Sequence, residues 1–186
     1  MLLTTGSDGT VRLWNRAGKS LKVLEQQAGA VYDARFSPDG KQFATTGTEG
    51  TVQLWDRSGN LLRQLKGHAG IVHQVDFSPD GQLIATAGAD GTVRLWNQAG
   101  TLLAEYRSEA GAIFSLSFSA DGRTLATTGA DGMVRLWAVE DLDQLLHQGC
   151  QWLTTYLRTH ANTPELCTQE PGVKSQKAED RSQNFP

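Results

Sequence analysis

Cysteine is scarce in this sequence of 186 residues, and the two present, Cys150 and Cys167, lie in its last quarter. The rest of the chain must therefore fold without disulfide bonds, which predicts a reducing, cytoplasmic location. No apolar run approaches the roughly 18 residues that a membrane helix needs, and no basic segment followed by an apolar one opens the chain, so neither a membrane span nor a secretory signal is expected. The formal net charge of −3 offers no basic patch for nucleic acid or an anionic membrane.

Internal repetition is what the sequence has in abundance. A tryptophan recurs every 41 residues, at Trp14, Trp55, Trp96 and Trp137. The same step separates four hairpin dipeptides: Asp8-Gly9, Glu49-Gly50, Asp90-Gly91 and Asp131-Gly132. It also separates three further turns: Ser37–Gly40, Ser78–Gly81 and Ser119–Gly122. A fixed period of this length is typical of a repeat architecture.

Each full repeat predicts four short strands separated by turns. In the central copy the strands are predicted at Ile71–Ser78, Gln82–Ala87, Thr92–Trp96 and Thr101–Tyr106. Val72 is out of phase with Val75, which predicts a bulge near His73 and Gln74. Strands of about five residues cannot bury both faces alone, so the sheets are expected to stack around an axis.

The repeat unit resembles that of the WD-repeat family: Gly67-His68, then VDFSPDG, then Thr86 four residues before Asp90 and Trp96 six after it. The resemblance implies an all-β fold, a partial β-propeller of about four blades built from four-stranded antiparallel sheets, over residues 1–139. It also implies a non-catalytic scaffold that binds other proteins, with no cofactor and no metal.

The family's structural tetrad corresponds to His68, Thr86, Asp90 and Trp96. Other copies depart from it, with Gln27 and Glu109 at the histidine position and Glu49 at the aspartate position. Two carboxylates cannot share one buried network without a proton, so Glu109 is expected to face solvent. The residue types of His68, Thr86 and Asp90 also fit a nucleophilic triad, and Glu109 with Asp131 fits an acid–base pair, but repeat register accounts for both sets.

Partner-binding positions are expected where the first strand of each repeat begins and meets the Asp-Gly hairpin. Family members commonly bind partners at this rim. The candidate residues are Tyr32, His73, Phe114, Ile71, Thr48 and Ser7. Aromatic side chains on a rigid rim suit a contact hot spot.

The ring is expected to be incomplete. The first blade lacks its innermost strand and the last lacks its outermost, whereas familiar propellers have about 4–8 blades of four strands. One interpretation is the C-terminal remnant of a larger WD-repeat protein, from a truncated gene or an internal start at Met1. The other is a homo-oligomer in which two chains complete a ring.

The pattern changes at Glu140, after which apolar residues recur at three- and four-residue spacing. This spacing predicts an amphipathic helix from about Leu142 to Arg158 within a segment 140–160, followed by a polar, disordered tail at 161–186. The segment resembles tails in bacterial, especially cyanobacterial, multidomain WD-repeat proteins. The alternative function is therefore the sensor or regulatory part of a signalling ATPase, although this chain has no GxxxxGK[ST] loop.

Three ligand-binding interpretations are disfavoured. Zinc would need four converging ligands, but His147, Cys150, His160 and Cys167 do not follow a finger spacing. The glycines lie at hairpin turns and not between a strand and a helix, which is unsuited to phosphate binding. Four of the five tryptophans follow the repeat register, so they do not indicate a stacking platform for nucleic acid.

Overall fold

A computed structural model describes residues 1–24, 29–109 and 111–139, which form four antiparallel sheets with no helix among them. The predicted all-β fold is thereby confirmed. The predicted helix and tail after residue 139 lie outside the described residues, and the three domain boundaries stay predictions. No part of the described chain forms a helix long and apolar enough to cross a bilayer.

The four sheets are called blades 1 to 4 in chain order. Blade 1 consists of β1 (Leu2–Thr5), β2 (Val11–Trp14) and β3 (Ser20–Leu24). Blade 2 consists of β4 (Val31–Phe36), β5 (Gln42–Gly47), β6 (Thr51–Asp56) and β7 (Leu61–Lys66). Blade 3 consists of β8 (Val72–Phe77), β9 (Leu83–Gly88), β10 (Thr92–Asn97) and β11 (Leu102–Arg107). Blade 4 consists of β12 (Ile113–Phe118), β13 (Thr124–Gly129) and β14 (Val134–Ala138).

Each blade is a meander in which every strand pairs with the next one along the chain. The first strands of blades 2, 3 and 4 also contact one another in turn, β4 with β8 and β8 with β12. These first strands are therefore the inner strands, nearest the shared axis. Blade 1 begins at the register of a second strand and blade 4 ends with a third strand, as the sequence predicts.

The tryptophan strand keeps the same register in every blade. Trp96 lies opposite Ile84, and the corresponding partners in the other blades are Leu2, Phe43 and Leu125. The hairpin ahead of this strand in blade 3 depends on Gly91, whose φ is 72°, a left-handed conformation that glycine adopts without steric cost. A Cβ at Gly91 would also lie 3.0 Å from the carbonyl oxygen of Gly111.

The hydrophobic core lies between the blades. Three clusters of buried side chains fill the three junctions, and each cluster is made of residues from two consecutive blades. At the junction of blades 2 and 3, Val52 and Leu54 pack with Val75, Ile84 and Trp96. A single sheet exposes such side chains on one face, so the stability of each blade depends on its neighbour.

Candidate functional site

A tryptophan–threonine hydrogen bond is present in every blade. The indole N–H of Trp96 donates to the Thr86 hydroxyl at 3.0 Å. Thr86 lies diagonally across the strand pair from Trp96, where two side chains share a face of the sheet. The same bond occurs at 2.9–3.0 Å in the other blades, from Trp14 to Thr4, Trp55 to Thr45 and Trp137 to Thr127.

Blade 3 extends this pair into a longer chain of hydrogen bonds. The His68 ring lies 2.8 Å from the Thr86 hydroxyl through Nε2, and 3.0 Å from Asp90 Oδ1 through Nδ1. A carboxylate only accepts, so Nδ1 carries the proton and Nε2 accepts from Thr86. The structure thus brings His68, Thr86, Asp90 and Trp96 together in one network. Thr92 joins it by donating to Asp90 at 2.8 Å.

The electrostatics of this network favour a neutral histidine beside a charged carboxylate. The pKa of His68 is lowered, chiefly by burial, although the hydrogen bond and the charge of Asp90 act in the opposite direction. Burial opposes the ionisation of Asp90, but hydrogen bonds from the Ala69 amide, His68 and Thr92 outweigh it and lower its pKa to about 2. Thr86 is 0% exposed, so its hydroxyl offers no nucleophile to a solute. The network suits a structural role.

Hairpin aspartates elsewhere take an arginine in place of histidine. Asp131 binds Arg135 at 2.6 Å, and Asp8 binds Arg12 at 3.3 Å. Glu109 is exposed, as expected, and Gln27 lies outside the described residues. In blade 3, where His68 already binds the aspartate, the corresponding Arg94 turns instead to Glu105, 2.8 Å away.

An aromatic row crosses three blades at the start of their inner strands. The rings of Tyr32 and His73 lie 5.7 Å apart and those of His73 and Phe114 5.2 Å apart, both edge to face. Tyr32 is 46% exposed and Phe114 51%, while His73 is half-buried. We call these three residues the aromatic row. Such edge-to-face contacts contribute about 0.5–1.5 kcal/mol beyond area burial.

Each member of the aromatic row is the extra residue of a β-bulge. The register of the inner strand passes from Val72 to Gln74 and skips His73, which confirms the predicted bulge. The corresponding skips in blades 2 and 4 fall at Tyr32 and Phe114. A bulge bends its strand and redirects a side chain, so the same local irregularity turns all three rings toward one another.

The other predicted rim residues lie just before an inner strand or in a hairpin. Ile71 is half-buried, and its carbonyl accepts from the Ala89 amide at 2.8 Å. Thr48 is half-buried in the hairpin between β5 and β6, and Ser7 is exposed in the one between β1 and β2.

Burial lowers the pKa of His73, so its ring is neutral near pH 7. No metal-ligand cluster occurs among the described residues.

Sequence reasoning missed the cations that join the outer strands to the next blade. Lys22 Nζ donates to the carbonyl oxygens of Ser58 and Gly59 at 2.9 and 3.0 Å. Arg63 Nη1 donates to that of Ala99 at 2.8 Å. Lys22 and Arg63 are 41 residues apart (63−22), so the repeat period held the signal.

The family model described as "WD domain, G-beta repeat" matches residues 1–15, 18–56, 59–97 and 100–138. The chain belongs to the WD-repeat family. Members of this family generally act as non-catalytic scaffolds, and their propellers typically bind other proteins. The blades of this WD-repeat chain are therefore propeller blades, as the resemblance implied.

One solved structure that the WD-repeat chain is similar to is the "WD40 beta propeller domain of Doa1". The two share 27% sequence identity with a TM-score of 0.68, over 75% of this chain and 47% of that one. This chain thus spans about half the length of that propeller chain. No curated protein matches the sequence.

Proposed function

We propose that this WD-repeat chain is a non-catalytic interaction scaffold that binds a partner protein at the aromatic row. The proposal rests on one observation: Tyr32, His73 and Phe114, on three consecutive blades, contact edge to face and yet leave large surfaces exposed. Side chains held by neighbouring rings lose little conformational entropy on binding, and aromatic residues are enriched at binding hot spots. Ile71, Thr48 and Ser7 would extend the contact as its polar and apolar edge.

A cytoplasmic setting accompanies the proposal, because Cys150 and Cys167 are the chain's only cysteines and both lie after the repeats. A protein partner is favoured over nucleic acid, since the net charge of −3 is unfavourable for a phosphate backbone. The resemblance of the C-terminal segment to bacterial multidomain proteins supports a role within a larger assembly.

The test compares two double variants at apolar side chains of similar fractional exposure. Tyr32→Ala with Phe114→Ala truncates the aromatic row, whereas Leu62→Ala with Leu103→Ala truncates outer-strand leucines that are 53% and 52% exposed. A partner isolated with the wild-type chain is purified and titrated into each by calorimetry. The row variant is expected to bind at least about tenfold more weakly, which corresponds to about 1.4 kcal/mol.

Thermal unfolding of both variants provides the folding control: the row variant loses two edge-to-face contacts and should melt at a lower temperature, but it must still unfold cooperatively well above the temperature of the titration. Equal affinity of the row variant and the wild type would refute the proposed surface. So would a loss of binding confined to the outer-strand variant.

A further inference from the structure

The charged residues of the loops are separated by sign between the two ends of the blades. The loops at the end that carries the aromatic row are here called the rim loops. In the described part of the chain, every charged residue of the rim loops is a carboxylate: Asp8, Glu49, Asp90, Glu109 and Asp131. The loops at the opposite end carry Arg16, Lys19, Lys41, Arg57 and Arg123 against Asp39, Asp80 and Asp121. The aromatic row therefore lies at the acidic end of the blades.

Two of the rim carboxylates, Glu49 and Glu109, remain available to a partner. Both are exposed, and neither forms an ion pair within residues 1–24, 29–109 and 111–139. Lys66 and Arg107 belong to outer strands, three strands away from the inner strand of their own blade. At the usual strand spacing this is about 14 Å, which exceeds the Debye length of about 8 Å at physiological salt.

The hairpin of each blade packs beside the loop that leads into the inner strand of the next blade. The Gly6 carbonyl in blade 1 accepts from the Val31 amide at 3.1 Å, one residue before Tyr32. A Cβ at Gly50 in blade 2 would overlap the His68 carbonyl oxygen in the loop that leads to blade 3. The contact of Gly91 with Gly111 repeats this arrangement between blades 3 and 4. Hairpin carboxylates and row aromatics therefore alternate along the rim.

We propose that the partner of the aromatic row is a basic protein segment, whose lysine or arginine side chains lie over the exposed rings and bind the rim carboxylates. This inference rests on the proposed function and specifies the chemistry of its partner. Aromatic faces attract cations, and a surface that carries one sign of charge attracts a partner of the other sign. An acidic segment would be repelled by the same carboxylates.

Selection of short random peptides displayed on phage, with the full chain immobilised at about 0.15 M salt, tests the chemistry of the partner. The peptides that are enriched should carry an excess of lysine and arginine over aspartate and glutamate. Synthetic copies are then titrated by fluorescence anisotropy. Their affinity should fall at least about tenfold between roughly 50 mM and 500 mM salt, because ions screen exposed charges.

Variants of Glu49 test the contribution of a rim carboxylate. Glu49→Gln should weaken the binding of the basic peptides by about two- to fivefold, as expected for one exposed ion pair, and Glu49→Lys should weaken it further through repulsion. Glu49→Asp is the matched control and should stay within about twofold of the wild type. Aspartate occupies the equivalent position in the other three blades, so the hairpin accommodates it. Thermal unfolding checks that all three variants keep the fold.

The double variant Tyr32→Ala with Phe114→Ala separates this inference from the proposed function. Selected peptides that bind this variant as tightly as the wild type would refute the proposed function itself. Peptides that require the row but have no excess of lysine and arginine would refute only the basic partner. Equal affinity at both salt concentrations, or an unchanged affinity of Glu49→Lys, would have the same meaning. A chain that enriches no peptide would overturn both proposals.

Discussion

Asp33, on the inner strand of blade 2, accepts a hydrogen bond from the backbone amide of Val75 on the inner strand of blade 3, with 3.2 Å between Oδ2 and N. Blade 3 repeats the arrangement toward blade 4, where Gln74 accepts from the Leu116 amide at 2.8 Å and Asp76 from the Phe118 amide at 3.2 Å. Inner strands of consecutive blades are thus linked by a side chain of one and the backbone of the next.

Asp33→Asn should raise the melting temperature at pH 7.5. Burial raises the pKa of the Asp33 carboxyl, so the folded state disfavours its ionised form. A group with a raised folded-state pKa contributes stability below its unfolded pKa and loses it as the pH rises through the folded pKa. Asparagine keeps an oxygen for the Val75 amide without the charge. We expect a rise of roughly 1–3 °C by differential scanning calorimetry.

The difference between Asp33→Asn and the wild type should vanish near pH 3, where the carboxyl is neutral in both states. Asp33→Ala serves as the control, since it removes the charge and the acceptor together. It leaves the Val75 amide without this partner and should lower the melting temperature. If asparagine is as destabilising as alanine, the buried charge is not what limits stability at this position.

Because of His68, the fold should become less stable as the pH falls below 6.5, the ordinary pKa of a histidine side chain. Burial lowers the pKa of His68, and burial also lowers that of His73, so the unfolded state binds more protons between pH 6.5 and 5. The unfolding free energy from guanidinium titrations should therefore decrease over that range. The unfolding free energy of His68→Gln should decrease less steeply, and that of His68→Gln with His73→Gln should no longer decrease. Asp33, whose pKa is raised, acts in the opposite direction in all three chains, so the comparison between their slopes isolates the histidines.

This prediction is tested by the slope of the unfolding free energy against pH. The absolute unfolding free energies do not test it, because His68→Gln also disturbs Asp90 and Thr86. Equal slopes for the wild type and the double variant would show that neither histidine is responsible. The pH interval is chosen above the ordinary pKa of the carboxylates.

Asp90 should produce a second loss of stability at lower pH. Its folded-state pKa of about 2 lies below the ordinary value of 3.8, so it stabilises the fold above pH 4 and that contribution disappears as the pH falls toward 2. Asp90→Asn should therefore show a shallower decline of unfolding free energy between pH 4 and 2. An unchanged decline would place the acid sensitivity in other carboxylates.

Much of the fold follows from the 41-residue step between Trp14 and Trp55, because register within a blade is a local property. The strands predicted around Trp96 differ from the observed ones by one residue at most ends, and the bulge at His73 follows from the phase of Val72 and Val75. The pairing of Arg94 with Glu105 could not be predicted. It depends on whether a histidine has already bound the hairpin aspartate, which is a competition between side chains.

The links between inner strands were also hidden from the sequence. Asp33 reaches Val75, 42 residues away, and Gln74 reaches Leu116, again 42 away. The two partners are separated by one residue more than the repeat period, so they do not occupy equivalent positions of the unit, and comparing its copies does not reveal the contact. Repeat register alone places Tyr32, His73 and Phe114 at equivalent positions of three blades. Their edge-to-face geometry could not be predicted, because it depends on the spacing between blades.

Trp96→Ala should cost about 3–5 kcal/mol of unfolding free energy, the usual effect of truncating a buried tryptophan. Trp96 is 4% exposed, and it both fills the junction of blades 2 and 3 and donates to Thr86. Trp96→Phe keeps much of the volume but leaves the indole bond unmade, so a smaller loss is expected. Leu103→Ala, 52% exposed on β11, is the control and should change the value by less than about 0.5 kcal/mol. Chemical denaturation measures all three, and a Trp96→Ala midpoint equal to that of the wild type would mean that this side chain does not hold the two blades together.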